Sequence, residues 1–266
     1  MKKRVFKNFI HVLLFGSLLV MACSKKNEPA TSPVKETGGP AAEQPADVFT
    51  PQTPGITAQT VSGNIGNVKE YLQYIPDTYN EKKTYKWPLV IFLHGIGEIG
   101  TDVNVLKNVG LMKVAKGKQF VIVAPQCTSS WWNTKVLQDL FKEVVKKYHV
   151  DTTRIYLTGL SMGGYGSWDW SEHYPQQFAA VVPICGGGTV NMACNLKNVP
   201  VWAFHNADDP TVNVQNSRDM VNAIKACGGK LIKYTENPDG GHNAWTKAYA
   251  DSTLYDWMLK QAIIGK

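Results

Sequence analysis

The sequence predicts an α/β fold, a mostly parallel sheet with helices on both faces, and three observations carry that expectation. From Pro88 onward, short apolar runs alternate with segments whose apolar residues recur at the helical period. Several runs, residues 88–93 among them, are apolar without interruption, as strands buried on both faces are. Finally, residues 156–164 read as a buried strand that breaks at Gly159-Leu160-Ser161-Met162-Gly163 and turns into a helix, a G-x-S-x-G turn.

Taken in order, residues 1–22 have the layout of a secretory signal: Lys2, Lys3, Arg4 and Lys7, an apolar run over 9–21, and a small residue before Cys23. The run is too short to span a membrane comfortably. Val20-Met21-Ala22-Cys23 resembles a bacterial lipobox with valine in place of the usual leucine. Cleavage there would expose Cys23 for acylation and anchor the protein to a membrane of the cell envelope. An ordinary signal with an incidental cysteine is the plainer alternative. Residues 23–55 carry Pro29, Pro33, Pro40, Pro45, Pro51 and Pro54 among small and polar residues, too little apolar surface to fold, and read as a disordered tether. Residues 56–266 read as one globular domain, and 44% hydrophobic residues suffice for a sizeable core.

Within that domain, residues 68–75 alternate as an edge or hairpin strand does. The run 88–93 ends at His94-Gly95-Ile96-Gly97. Residues 103–112 are weakly helical, 120–124 a strand, and 135–148 an amphipathic helix with Val136, Leu137, Leu140, Phe141, Val144, Val145 and Tyr148 on one side. Strands follow at 154–158, 178–184, 199–204 and 230–235, with helices at 165–173, 214–226 and 248–263. The serine turn then falls at the carboxyl end of a central strand, where such sheets bind ligands. No internal repeat is present. The formal charge of +7 falls to +3 without the four basic residues of the leader, and no basic run is interleaved with aromatics, so no nucleic-acid partner is expected.

Ser161 sits on a turn too sharp for side chains two residues to either side, which is why Gly159 and Gly163 flank it. The Met162 amide, at a helix N-terminus, is placed to donate to an oxyanion. An idle serine on a tight turn would look the same, so its partners decide. The expected chain order is serine, acid, histidine. His11 lies in the leader, His94 precedes the serine, His149 ends a helix on the far side of the sheet and His173 belongs to the helix after Ser161. His205 ends an apolar strand and reads as a packed residue. His242 follows the flexible Pro238-Asp239-Gly240-Gly241 and is the expected general base. Asp208 and Asp209 both qualify as its carboxylate. Asp209 is favoured because the following proline makes it extended and the turn rigid, leaving Asp208 to cap the loop. Ile96, on the glycine-rich loop, is the expected second oxyanion donor beside Met162.

The segments "YLQYIPDTYN", "PLVIFLHGIGEIG", "RIYLTGLSMGGYGSWD", "VPICGGG", "PVWAFHNADDPTV" and "GGHNAW" together resemble the α/β-hydrolase esterases related to prolyl oligopeptidase, the dienelactone-hydrolase-like carboxylesterases and the feruloyl esterase-like proteins. The resemblance covers residue 68 to the C-terminus. It implies an α/β-hydrolase fold and a serine hydrolase with Ser161, Asp209 and His242 as its triad. The chain has Asn206 where the H-G-x-x-D-x-x-V pattern has glycine.

Only residues 186–198 separate two strands where a lid would be inserted, so no lid domain and an open mouth are expected. With no room for a screening propeller before residue 68, small acyl or aryl esters, such as those on polysaccharides, are the expected substrates. A peptidase of prolyl oligopeptidase type and a non-catalytic surface binding protein are the alternatives. Trp131, Trp132 and Tyr165 are candidate walls for a sugar or aromatic ring, although the tryptophans read equally well as core. Cys127, Cys185, Cys194 and Cys227 show no zinc-ligand spacing, and neither metal nor cofactor is expected. Of their three possible pairings, Cys194 with Cys227 is the first to test.

Overall fold

Eight strands form one sheet in the order β1-β2-β4-β3-β5-β6-β7-β8 in the computed structural model, which describes residues 49–129 and 131–264. The strands are β1 (Gly55–Thr60), β2 (Val68–Ile75), β3 (Trp87–Leu93), β4 (Val121–Cys127), β5 (Val150–Leu160), β6 (Ala180–Ile184), β7 (Val201–Asn206) and β8 (Ile232–Asn237). From β4 to β8 every neighbouring pair is parallel, and β1 and β2 add antiparallel at one edge. The helices are α1 (Thr134–Lys147), α2 (Met162–His173), α3 (Gln215–Ala226), α4 (Trp245–Ala250) and α5 (Ser252–Leu259). This is the α/β-hydrolase arrangement, with helices on both faces.

The uninterrupted apolar runs have the cause expected of them. Along β3, Leu89, Ile91 and Leu93 join a core with Leu137, Leu140 and Val144 of α1 and Met220, Val221 and Ile224 of α3. Val90 and Phe92, pointing the other way, join a second core with Leu106, Met112, Leu254 and Met258. Each central strand therefore needs apolar residues at every position.

Several expectations shift. Residues 49–55, assigned to the tether for their prolines, belong to the packed body: the Phe49 ring lies 5.5 Å from that of Tyr79, and Gln52 and Asn80 exchange hydrogen bonds of 2.9 and 2.8 Å. Of the two readings of residues 68–75, the hairpin holds and the edge does not: β1 pairs antiparallel along β2 from Gly55 to Thr60 and makes β2 an inner strand. The helix expected over 103–112 is two short 3-10 helices, Val103–Asn108 and Met112–Val114. The single helix expected over 248–263 is α4 and α5, broken at Asp251, whose carboxylate accepts the Thr253 amide at 2.8 Å as an N-cap. A disulfide joins Cys194 to Cys227, tying the β6–β7 loop to the end of α3. The expected signal, the lipidation site Cys23 and most of the tether lie outside the described residues. Among the described residues, no helix is long and apolar enough to cross a membrane.

Candidate active site

The turn after β5 is built by exclusion. A side-chain carbon at Gly159 would lie 2.3 Å from the Gly163 carbonyl oxygen, and one at Gly163 would lie 2.0 Å from that of Leu93. Both distances are far inside van der Waals contact. Ser161 takes the strain, with φ 54° and ψ −118°, a region that costs roughly 1–3 kcal/mol for a residue with a side chain. It is held there by its amide, which donates to Ile184 O at 2.9 Å, and by its carbonyl, which accepts from Tyr165 N at 3.0 Å. That second bond opens α2, so the amide of Met162 falls in the first turn and has no acceptor within the helix.

The structure brings Ser161, His242 and Asp209 together. His242 Nε2 lies 2.8 Å from Ser161 Oγ, and His242 Nδ1 lies 2.7 Å from Asp209 Oδ2. Asp209 Oδ1 accepts the amides of Thr211 and Val212 at 2.8 and 2.9 Å. Burial pushes the Asp209 pKa up, but the bonds from His242, Val212 and Thr211 outweigh it and hold the carboxyl below its ordinary range, ionised. Nδ1 of His242 therefore carries the proton, and Nε2 faces the serine as an acceptor. Asp208 serves the neighbouring loop, accepting the amides of Gly240 and Gly241 at 3.2 and 2.9 Å. Asn206, at the position where the resembled pattern has glycine, donates from Nδ2 to Gly241 O at 2.9 Å and accepts from Asn237 on β8 at 2.8 Å. The amide side chain thus ties the histidine loop to the strand ends. The Trp245 ring stands edge-on to His242, with centroids 5.3 Å apart.

The loop after β3 comes close to the nucleophile: a side-chain carbon at Gly95 would lie 3.6 Å from Ser161 Cβ. His94, set aside by its place in the chain, shapes this loop. Burial lowers its pKa to about 4, so it is neutral near pH 7. Its Nε2 accepts the Cys127 amide at 2.9 Å, which leaves Nδ1–H to donate to Gly95 O at 2.6 Å. Because a trans peptide sets C=O and the next N–H on opposite sides, holding the Gly95 carbonyl fixes the direction of the Ile96 amide. The Gly95 amide is occupied by Glu98 Oε2 at 3.0 Å. Ile96 itself is 64% exposed, its side chain at the rim. These buried contacts join residues remote in sequence, and only the adjacency His94-Gly95 hinted at them.

The candidate walls separate. Trp132 is 5% exposed, and its indole N–H donates to His94 O at 3.1 Å, so it is part of the core beneath the loop and not a wall of the site. Trp131 is 49% exposed and leans on Tyr165, with ring centroids 5.7 Å apart. Tyr165, one turn after Ser161, accepts from Asn216 Nδ2 at 3.0 Å. A cavity of about 390 Å³ is lined by Glu98, Val109, Leu160, Asn243, Trp245 and Tyr249 among others, Leu160 and Asn243 being the chain neighbours of Ser161 and His242. Among the described residues, Cys185, His205 and Asp209 are the grouping whose donor atoms converge as a metal site's would, within 4.8 Å of one another. All three are already engaged in hydrogen bonds.

Fold and site together define an α/β-hydrolase carrying a serine, histidine and aspartate arranged as a nucleophile, base and orienting acid. The chain belongs to the Esterase family, whose model, described as "Putative esterase", matches residues 62–229. That span includes Ser161 and Asp209 and ends before His242. A bifunctional acetylxylan esterase/xylanase of Neocallimastix patriciarum is 26% identical over 186 residues, covering 64% of this chain and 26% of that protein. A "Probable feruloyl esterase C" of Aspergillus terreus is 27% identical over 196 residues, covering 68% of this chain and 71% of that one. Among solved structures, a thermostable esterase superposes with a TM-score of 0.67 at 34% identity, covering 78% of this chain and 63% of that one. The chain therefore spans about a quarter of the bifunctional enzyme's length and under two thirds of the thermostable esterase's.

Proposed function

We propose that the protein is a serine carboxylesterase that cleaves small acyl or aryl esters, such as those carried by polysaccharides, through an acyl-enzyme. The observation that carries this reading is the relay of 2.8 and 2.7 Å from Ser161 through His242 to Asp209. Ser161 Oγ attacks the ester carbonyl as His242 Nε2 takes its proton, and the amides of Met162 and Ile96 receive the oxyanion. Collapse expels the alcohol, which leaves with the proton from His242. Water then repeats the sequence on the acyl-enzyme, releasing the acid and restoring Ser161. Asp209 keeps the proton on Nδ1 throughout and stabilises the imidazolium.

The acyl group would enter the cavity between Glu98 and Trp245, and the exposed Trp131 beside Tyr165 would receive the ring of the alcohol. The acetylxylan esterase and the feruloyl esterase among the relatives support polysaccharide-linked esters over peptides as substrates. With a lipid on Cys23, the enzyme would work anchored in the cell envelope, in the periplasm or at the surface, and the disulfide fits either oxidising setting. Turnover of p-nitrophenyl acetate and of a feruloylated oligosaccharide by wild type and Ser161→Ala tests the reading. Loss of about 10⁶-fold in kcat is expected for a lost nucleophile, with no cleavage of chromogenic dipeptides by wild type. A residual ester rate within tenfold of wild type would remove Ser161 from the chemistry.

A further inference from the structure

Asp209 serves two imidazoles, and the relay uses only one of them. The second is His205, near the end of β7 and fully buried. Its Nδ1 lies 2.7 Å from Ser217 Oγ, and its Nε2 lies 3.0 Å from Val212 O and 3.2 Å from Asp209 Oδ2. Burial lowers its pKa against the opposing pull of the Val212 carbonyl and of Asp209, so the ring is neutral and carries a single N–H. A carbonyl and a carboxylate can only accept, so that proton sits on Nε2. The Ser217 hydroxyl has one proton to share between Gly186 O, at 2.9 Å, and Nδ1, at 2.7 Å. Asp209 then has two backbone amides on Oδ1, the His242 N–H on Oδ2 and, on the same oxygen, the His205 N–H that it shares with Val212 O, while the Cys185 thiol also bonds the carboxylate.

We propose that His205 is a positioning residue for ester hydrolysis: its Nε2–H aims Asp209 Oδ2 at His242 and draws charge from the oxygen that stabilises the imidazolium. The proposal rests on the triad reading above. Its chemical consequence is specific. Without the second donor, the carboxylate is more basic, so it holds the His242 imidazolium harder. The base is then set free only at higher pH, and the acid limb of kcat/KM moves up.

Other titratable groups face the pair from several elements. The Cys185 thiol, just past β6, is pushed up to about 12 by burial. The Tyr165 hydroxyl on α2 is raised by burial and by Asp209. Glu236 on β8 is held below its ordinary value by Arg218 of α3, at 2.9 and 2.6 Å. Asp208 points to the Gly240 and Gly241 amides.

The test compares His205→Gln with His205→Asn, using Ser161→Ala as the blank. A glutamine amide reaches the Nε2 position and keeps a donor on Asp209, whereas an asparagine amide reaches only the Ser217 end. The glutamine variant is expected within about threefold of wild-type kcat, with its acid limb in place. The asparagine variant should lose about 10–100-fold in kcat at unchanged KM, the usual cost of a lost supporting contact, and its acid limb should move up. His205→Met, of similar bulk and without a donor, replaces the asparagine variant if that does not fold. Superimposed pH profiles and equal kcat for donor and non-donor variants, with losses confined to Tm, would overturn the proposal. So would an equal limb shift in Ser217→Ala, which leaves the Nε2 donor intact. Turnover surviving in Ser161→Ala would refute the triad and the proposal with it, whereas an inactive blank beside equal donor and non-donor variants would overturn the role of His205 alone.

Discussion

Replacing Asp209 by asparagine tests the relay with almost no change of shape, and the structure dictates how the amide would sit. The Thr211 and Val212 amides, at 2.8 and 2.9 Å, both donate to Oδ1 and demand an acceptor there. The amide oxygen of Asp209→Asn must stay on that side, which turns the NH2 toward His242. Nδ1 then becomes an acceptor, the ring proton moves to Nε2, and the imidazole can no longer take a proton from Ser161. A wrong tautomer of this kind costs about 10⁴ in kcat, or roughly 5.5 kcal/mol of barrier. The control is Asp208→Asn, which keeps one acceptor for the Gly240 and Gly241 amides and gives up about one backbone hydrogen bond, roughly 0.5–1.5 kcal/mol of loop stability. Steady-state hydrolysis of p-nitrophenyl acetate at pH 7, with Tm as a folding check, should rank Asp209→Asn thousands of times below Asp208→Asn. An Asp209→Asn rate within tenfold of wild type, in a folded protein, would refute the assignment of the carboxylate and the tautomer it enforces.

Three further outcomes concern stability and binding. Glu172 on α2 is buried with both carboxyl oxygens on the Thr189 amide, at 2.9 and 3.2 Å, and burial pushes its pKa up to about 8 against that bond. The folded protein keeps a proton that the unfolded chain releases above about pH 4.5, so stability falls as pH rises from there to about 8. Glu172→Gln should flatten the loss of Tm between pH 5 and 8, and parallel curves for the two proteins would contradict it. The Cys194–Cys227 disulfide closes 33 residues, worth about 3–4 kcal/mol by chain entropy. Replacing both cysteines by serine should lower the urea midpoint, and an unchanged midpoint would show that the bridge adds nothing. Trp131→Ala should raise KM several-fold for a glycan-linked ester, since a stacking contact is worth about 1 kcal/mol, and leave KM for p-nitrophenyl acetate alone. Equal effects on both substrates would take Trp131 off the binding surface.

Features written into short stretches of chain were legible in the sequence. The glycines around Ser161 answer contacts of 2.3 and 2.0 Å made within the turn and to the adjacent strand, and the two-sided burial of β3 shows as an unbroken apolar run. β1 was missed because Gly55–Thr60 is a half-exposed edge with no such run. The break between α4 and α5 did have a signal, Asp251 before Ser252 and Thr253, but the helical period across it masked the cap. Trp131 and Trp132 are neighbours in sequence with opposite fates, decided by a carbonyl 38 residues away that only the β3 loop brings to the Trp132 indole. The same distance effect hid His94 and Asn206, whose roles lie in bonds to Gly95, Cys127 and Gly241.

The loop from His205 to Val212 shows why site geometry and local folding are hard to separate here. An unpaired carboxylate enclosed like that of Asp209 would cost several kcal/mol, so the loop can close only when donors surround it. Two of those donors are amides of the loop itself, which makes the turn after Pro210 a consequence of the charge it encloses. The other two are imidazoles: His205, fixed by Ser217 and Val212 within the core, and His242, delivered by a glycine loop tied to Asn206. Only the second imidazole is partly open to solvent. It is therefore the one that can exchange a proton with a substrate, while the buried ring can act only by holding the carboxylate still.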